Sequence, residues 1–100
     1  MIRHVVVWKL KAEAEGASSS ENAKKMKQKL ESLVGQVPEI KRLEFRINGL
    51  ANPTNADVML VVDLVDWAAL DRYQKHPAHV KVAEFVGKVK ETRVAVDFEL

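Results

Sequence analysis

Hydrophobic and polar residues alternate along two short segments of the chain, residues 40–48 and 92–99. Apolar side chains occupy positions 43, 45 and 47 in the first segment and positions 94, 96 and 98 in the second. A period of two is typical of a β-strand with one buried face. Residues 2–10 and 57–65 carry apolar side chains on both faces, as strands that are covered on both sides do. The pattern therefore predicts four strands.

A helical period of three and four follows the first strand. Ser18 and Glu21 have the spacing of a capping box, which predicts that a helix begins near residues 19–21. Gly35 and Pro38 are typical of the end of a helix. The apolar stripe of this helix consists of Ala23, Met26, Leu30, Leu33, Val34 and Val37.

The segment YQKHPAHV, residues 73–80, interrupts a second helical region. Asp66 is a good N-cap for a helix over about residues 67–75. Pro77 disfavours helical geometry at His76, so this helix is expected to end there. Because proline suits the first position of a helix, another helix is expected to begin at Pro77 and to continue almost to the last strand. Its inner stripe consists of Val82, Ala83, Val86 and Val89.

The predicted order β-α-β-β-α-β is that of the ferredoxin-like split unit, an α+β fold, in a single domain over residues 1–100. In this fold the first and third strands are central and the other two are edges. Two helices cover only one face of such a sheet, and an uncovered apolar patch usually marks an interface. We therefore predict a homodimer that packs sheet against sheet. The uncovered residues are Val5 and Val7, with either Met59 and Val61 or Val58, Leu60 and Val62.

Composition and charge exclude several classes of partner. Hydrophobic residues make up 47% of the chain and charged residues 30%, as in a globular domain, and the absence of cysteine excludes disulfides. The net charge is only +2, and the lysines between residues 24 and 29 are expected to form a solvated helix face, so no nucleic-acid partner is expected. With no signal peptide and no run of ~20 apolar residues, a cytoplasmic location without membrane contact is expected.

Three stretches together resemble the stress-responsive A/B-barrel family, also called the Dabb domain. They are MIRHVVVWKLK at residues 1–11, YQKHPAHV at 73–80 and RVAVDFE at 93–99, so the resemblance covers nearly the whole chain. It implies a dimeric α/β barrel that is made of two ferredoxin-like units. It also implies an undefined biochemical role, because most bacterial members have no assigned activity and plant members are linked to stress responses.

The resemblance extends to a plant polyketide cyclase within the family and implies a site with four polar residues. In that arrangement His79 is a general base, Asp97 orients its imidazole, and Tyr73 donates a hydrogen bond to a developing oxyanion. His4 on the first strand is the fourth residue. The resemblance implies no metal and no organic cofactor. The pocket is expected between helices and sheet, lined by Val6, Trp8, Met26, Leu30, Val58 and Leu60.

Several of these residues also have structural interpretations. Alternation alone turns the apolar residues of 92–99 toward the helices and Asp97 toward solvent, whereas the resemblance implies the reverse. His4 is also consistent with a core histidine that has one hydrogen bond. His76 is expected to be structural, because its ring can reach free amides at the helix start. Pro77 separates His76 from the next histidine and spacing places no third ligand, so no metal site is expected.

The sequence leaves three functions open. The first is a homodimeric Dabb protein that binds a small apolar or carbonyl ligand in the pocket. The second is a cofactor-independent cyclase or isomerase with His79 as the base and Tyr73 as the donor. The third is a purely oligomeric role. In a binding or stress-associated protein without chemistry, the same residues would be structural. The expected partners are a second copy of the chain and a small molecule.

Overall fold

The computed structural model describes residues 1–100 and contains six strands and three helices. The chain begins with β1, and a short hairpin of β2 and β3 then leads into α1. After β4 and β5, the helices α2 and α3 precede the last strand, β6. The elements are β1 Ile2–Leu10, β2 Glu13–Ala14, β3 Ala17–Ser18, α1 Ser19–Glu31, β4 Arg42–Ile47, β5 Val58–Leu64, α2 Trp67–Lys75, α3 Pro77–Val89 and β6 Lys90–Glu99.

The main sheet has four antiparallel strands in the order β4-β5-β1-β6. The two strands with apolar residues on both faces are therefore central, and the two alternating strands are edges. This confirms the predicted ferredoxin-like α+β fold. Pairing also sets which side chains share a face, because residues that are directly opposite on neighbouring strands point the same way. No helix is long and apolar enough to cross a membrane.

Helix α1 begins at the predicted capping box. The Ser18 hydroxyl accepts a hydrogen bond from the Glu21 amide at 3.2 Å, and the Glu21 carboxylate accepts one from the Ser18 amide at 3.4 Å. The helix ends at Glu31, earlier than the apolar stripe predicts. The reason is that the following amides bond three residues back, as Leu33 does to Leu30, which tightens the chain into turns. Leu33 still packs into the core.

The junction between α2 and α3 is built by His76 and Pro77. Asp66 caps α2 by accepting from the Ala69 amide at 2.8 Å. His76 is extended, with φ −60° and ψ 134°, and its Nδ1 accepts from the Ala78 amide at 3.1 Å. Pro77 then occupies the first position of α3, where its missing amide hydrogen is not needed. The junction brings the last turn of α2 beside the first turn of α3.

The helices cover one face of the sheet and form a single core with it. Even-numbered residues of β1 and β5 point into this core, together with the inner stripes of the helices. Full burial of one such side chain contributes roughly 1.5–3 kcal/mol, so the layer accounts for much of the stability. The largest fully buried side chains include Tyr73, Met26, Leu33, Leu60 and Leu64.

The second face of the sheet has no cover and is apolar in its centre. Val94, Val96 and Phe98 of β6 lie on this face, with 64%, 59% and 39% of their surface exposed. The expectation from alternation that they turn toward the helices is wrong, because the register pairs Val96 with Val5, on the uncovered side of β1. Of the two sets considered for the third strand, Met59 and Val61 lie here, opposite Val7 and Val5.

Candidate functional site

A cavity of about 270 Å³ lies between α3 and the helix-covered face of the sheet. Its volume is near the lower limit of small-molecule sites, which are usually ~300–1,000 Å³. Most of its wall is apolar, so a bound molecule would need to be largely apolar as well. The apolar lining includes Val6, Trp8, Leu30, Leu60, Val82 and Val86.

His4 lines this cavity from the centre of the sheet. Its ring is buried, and its Nδ1 forms a hydrogen bond with the Asp97 carboxylate. The β1–β6 register makes this contact possible, since it pairs His4 with Asp97 on one face. Because the carboxylate accepts, Nδ1 carries the hydrogen, which leaves Nε2 as the ring nitrogen without a partner within the protein. The structure thus turns Asp97 inward, but toward His4 and not toward His79 as expected.

His79 lines the cavity from the first turn of α3. Its Nδ1 donates to the Gln74 carbonyl at 3.1 Å, so its Nε2 carries the lone pair of the neutral ring. Burial lowers the pKa of His79, and the carbonyl of Gln74 partly offsets this. Electrostatic interactions with His4, Arg93 and His76 lower the pKa of His79 further. A neutral imidazole at pH 7 can accept a hydrogen bond or a proton.

Tyr73 packs against both histidines but does not line the cavity. Its ring centroid is 4.5 Å from that of His79 and 6.3 Å from that of His4. The side chain is fully buried, and its hydroxyl has no hydrogen-bond partner. Burial therefore raises the pKa of this hydroxyl well above its ordinary value. The structure brings Tyr73, His79 and His4 together, but only the two imidazoles reach the cavity.

The remaining predicted residues divide between the cavity and the core. Val6, Trp8, Leu30 and Leu60 of the expected lining do line the cavity. Met26 and Val58 are buried in the core instead and do not form part of its wall. His76 caps α3 away from this wall. No cluster of three or more residues with metal-binding side chains is present.

The sequence interpretation did not include Lys90 and Arg93, which also line the cavity. Both belong to β6, where Arg93 pairs with Trp8 of β1. A signal for Arg93 was available, because it is four residues before Asp97 and so shares its face of the strand. Any reason to turn Asp97 inward therefore turns Arg93 inward too.

Fold and cavity together define a ferredoxin-like α+β protein with a largely apolar site between its helices and its sheet. The sequence profile of one family, the Stress responsive A/B Barrel Domain or Dabb, matches residues 2–100. The chain therefore belongs to the Dabb family, as the three sequence stretches predicted. No curated protein matches the chain in sequence.

Solved structures share the fold over almost the whole chain. A dimeric ferredoxin-like protein of unknown function from Thermobifida fusca is 25% identical, with a TM-score of 0.84 over 99% of this chain and 90% of that one. A dimeric protein of unknown function from Bacteroides fragilis is 24% identical, with a TM-score of 0.82 over 99% and 95%. Hydroxynitrile lyase from Passiflora edulis is 15% identical, with a TM-score of 0.79 over 99% and 92%.

Proposed function

We propose that this Dabb protein is a homodimer that binds a small, mostly apolar carbonyl compound in the cavity of each protomer. The observation that carries the proposal is the 270 Å³ cavity with apolar walls and two imidazoles on its lining. Apolar pockets with a few convergent polar groups are the usual form of small-molecule sites. The lone pair on His79 is suited to a hydroxyl or to an acidic C–H beside a carbonyl, and His4 is a second polar group on the same lining.

The uncovered face of the sheet supports the homodimer. Soluble monomers rarely leave a contiguous apolar patch in water, and here such a patch runs across three strands. The similar proteins from Thermobifida fusca and Bacteroides fragilis are described as dimeric. Ion pairs flank this patch on β4, where Arg42 and Arg46 both contact Glu44. An apolar centre with a charged rim is the usual arrangement of a protein interface.

A cofactor-independent cyclase or isomerase is the alternative. The same stretches are similar to olivetolic acid cyclase, which performs an intramolecular aldol condensation, and a neutral His79 is suited to act as a base. Two features make simple binding the better supported function. The Tyr73 hydroxyl is shielded from the cavity. The resemblance also places Val58 where that enzyme has a further histidine.

A thermal-shift screen of small carbonyl compounds tests the proposal on the wild type, His79→Ala and the control Val80→Ala. Val80 is exposed on the same helix and does not line the cavity, so its variant should respond like the wild type. A ligand of the site raises the melting temperature of the wild type and of Val80→Ala more than that of His79→Ala. An equal rise in all three proteins, or no response to any compound, contradicts binding at this site.

The same ligands separate binding from catalysis. In D₂O, NMR detects exchange of hydrogen beside the carbonyl group if His79 acts as a base. Exchange that the wild type accelerates and His79→Ala does not would favour the enzyme alternative. Binding without accelerated exchange would favour the ligand-binding protein.

A further inference from the structure

The two cations on the cavity wall lack partners within the protein. Four of the five arginines, at positions 3, 42, 46 and 72, contact a carboxylate within 4.0 Å. Arg93 is the exception and forms neither a salt bridge nor a side-chain hydrogen bond, and Lys90 forms none either. No aspartate or glutamate lines the cavity, and Asp97 is bonded to His4. The cavity therefore has an uncompensated positive end.

We propose that the ligand is an amphipathic carboxylate whose apolar part fills the cavity and whose carboxylate lies at Lys90 and Arg93. This inference rests on the proposed ligand-binding function and names its ligand class. The planar guanidinium of arginine matches a carboxylate with two parallel hydrogen bonds, and lysine adds a second positive charge. A largely apolar wall beside two free cations matches a molecule with both properties.

Strand register separates the cationic end of the cavity, at Lys90 and Arg93, from the imidazole of His4. Arg93 is opposite Trp8, whereas Asp97 is opposite His4, and these pairs are four residues apart along the strands. At ~3.3 Å per residue this is about 13 Å. A cavity of ~150 Å³ holds benzene, so 270 Å³ has space for roughly ten non-hydrogen atoms. The expected ligand is thus a short aliphatic or single-ring acid.

Hexanoate and hexanamide are a matched pair of probes, because they have the same shape and only the acid is charged at pH 7. Trp8 lines the cavity and Trp67 is exposed at the start of α2, so Trp67→Phe leaves Trp8 as the only indole reporter. In this background we expect hexanoate to change Trp8 fluorescence with at least about fivefold lower Kd than hexanamide. Added salt should reduce the difference.

Variants at the cationic end complete the test. Arg93→Gln and the double variant Lys90→Gln, Arg93→Gln should lose the preference for hexanoate and keep their affinity for hexanamide. Lys81→Gln is the control, since Lys81 is on α3 and does not line the cavity, and it should keep the preference. Equal binding of both probes, or a preference that survives in the double variant, overturns the carboxylate inference and leaves the proposed function intact. Failure of both probes to bind overturns both.

Discussion

The two faces of the sheet share the same four strands but differ in how their polar groups are satisfied. On the uncovered face, Arg3 donates two hydrogen bonds to Asp63, at 2.7 and 2.9 Å. On the helix-covered face, the Trp8 Nε1 and the Tyr73 hydroxyl are buried without a partner. Buried polar groups normally have partners, so exceptions need an explanation.

This difference fits the two proposed roles, assembly for the uncovered face and ligand binding for the helix-covered face. The uncovered face has complete polar pairs around exposed valines, which favours contact with another apolar surface. The helix-covered face packs against a continuous apolar core, and its unpaired polar groups include the Trp8 Nε1 on the cavity wall and the Tyr73 hydroxyl beside the two imidazoles. A second chain would cover the apolar centre of the first face, and a small ligand would fill the cavity on the second.

The largest expected effect is at Tyr73, on the helix-covered face. Tyr73→Ala removes a fully buried ring and should cost about 3–5 kcal/mol of unfolding free energy. Tyr73→Phe should change stability by less than about 1 kcal/mol, because the hydroxyl has no partner to lose. Urea denaturation at one fixed protein concentration measures both values. A cost for Tyr73→Phe close to that of Tyr73→Ala would show that the hydroxyl has a bonded partner.

The next largest effect is expected on the uncovered face. Val96→Asp places a carboxylate in each half of the proposed sheet-to-sheet interface, where burial of an unpaired charge is costly. We expect the dimer dissociation constant to rise by at least about 100-fold in analytical ultracentrifugation, equivalent to about 2.7 kcal/mol. Val80→Asp makes the same change at an exposed position of α3 and should leave the dimer intact. Unchanged association of the Val96→Asp protein would remove this face from the assembly.

Local signals explain why the fold could be predicted. The capping box at Ser18, the N-cap at Asp66 and the break at Pro77 act within one helical turn, and the structure contains all three. Periods of two and of three to four then assign the remaining elements. The error at the end of α1 arose because apolar residues continue into the turns, where Leu33 is buried without being helical.

The candidate site was less predictable because it depends on pairing and packing. Alternation shows that β6 has two different faces, but only its register with β1 shows which face carries Asp97. That register also sets the position of Arg93. No sequence pattern shows that the Tyr73 hydroxyl is shielded, because this follows from the packing of its ring against His4 and His79.

The smallest expected effects are two changes of stability with pH. One comes from His79, which lines the cavity, and the other from Asp63 on the uncovered face of the sheet. Burial lowers the pKa of His79 in the folded protein. The contribution of His79 to stability is therefore complete above the ordinary histidine pKa of ~6.5, and it is lost as the pH falls through the lower pKa of the folded state. Hydrogen bonding by Arg3 lowers the pKa of Asp63, so its contribution is complete above ~3.9 and is lost at lower pH.

Urea denaturation of the wild type, His79→Gln and Asp63→Asn between pH 8 and pH 3 can separate the two faces. His79→Gln should remove the decline that begins near pH 6.5 and keep the acidic one, whereas Asp63→Asn should do the opposite. Asp71→Asn is the control for the acidic decline, because Asp71 pairs with Lys75 on the exposed surface of α2. If Asp71→Asn changes the acidic decline as much as Asp63→Asn, the decline belongs to surface charge and not to the pair on the uncovered face.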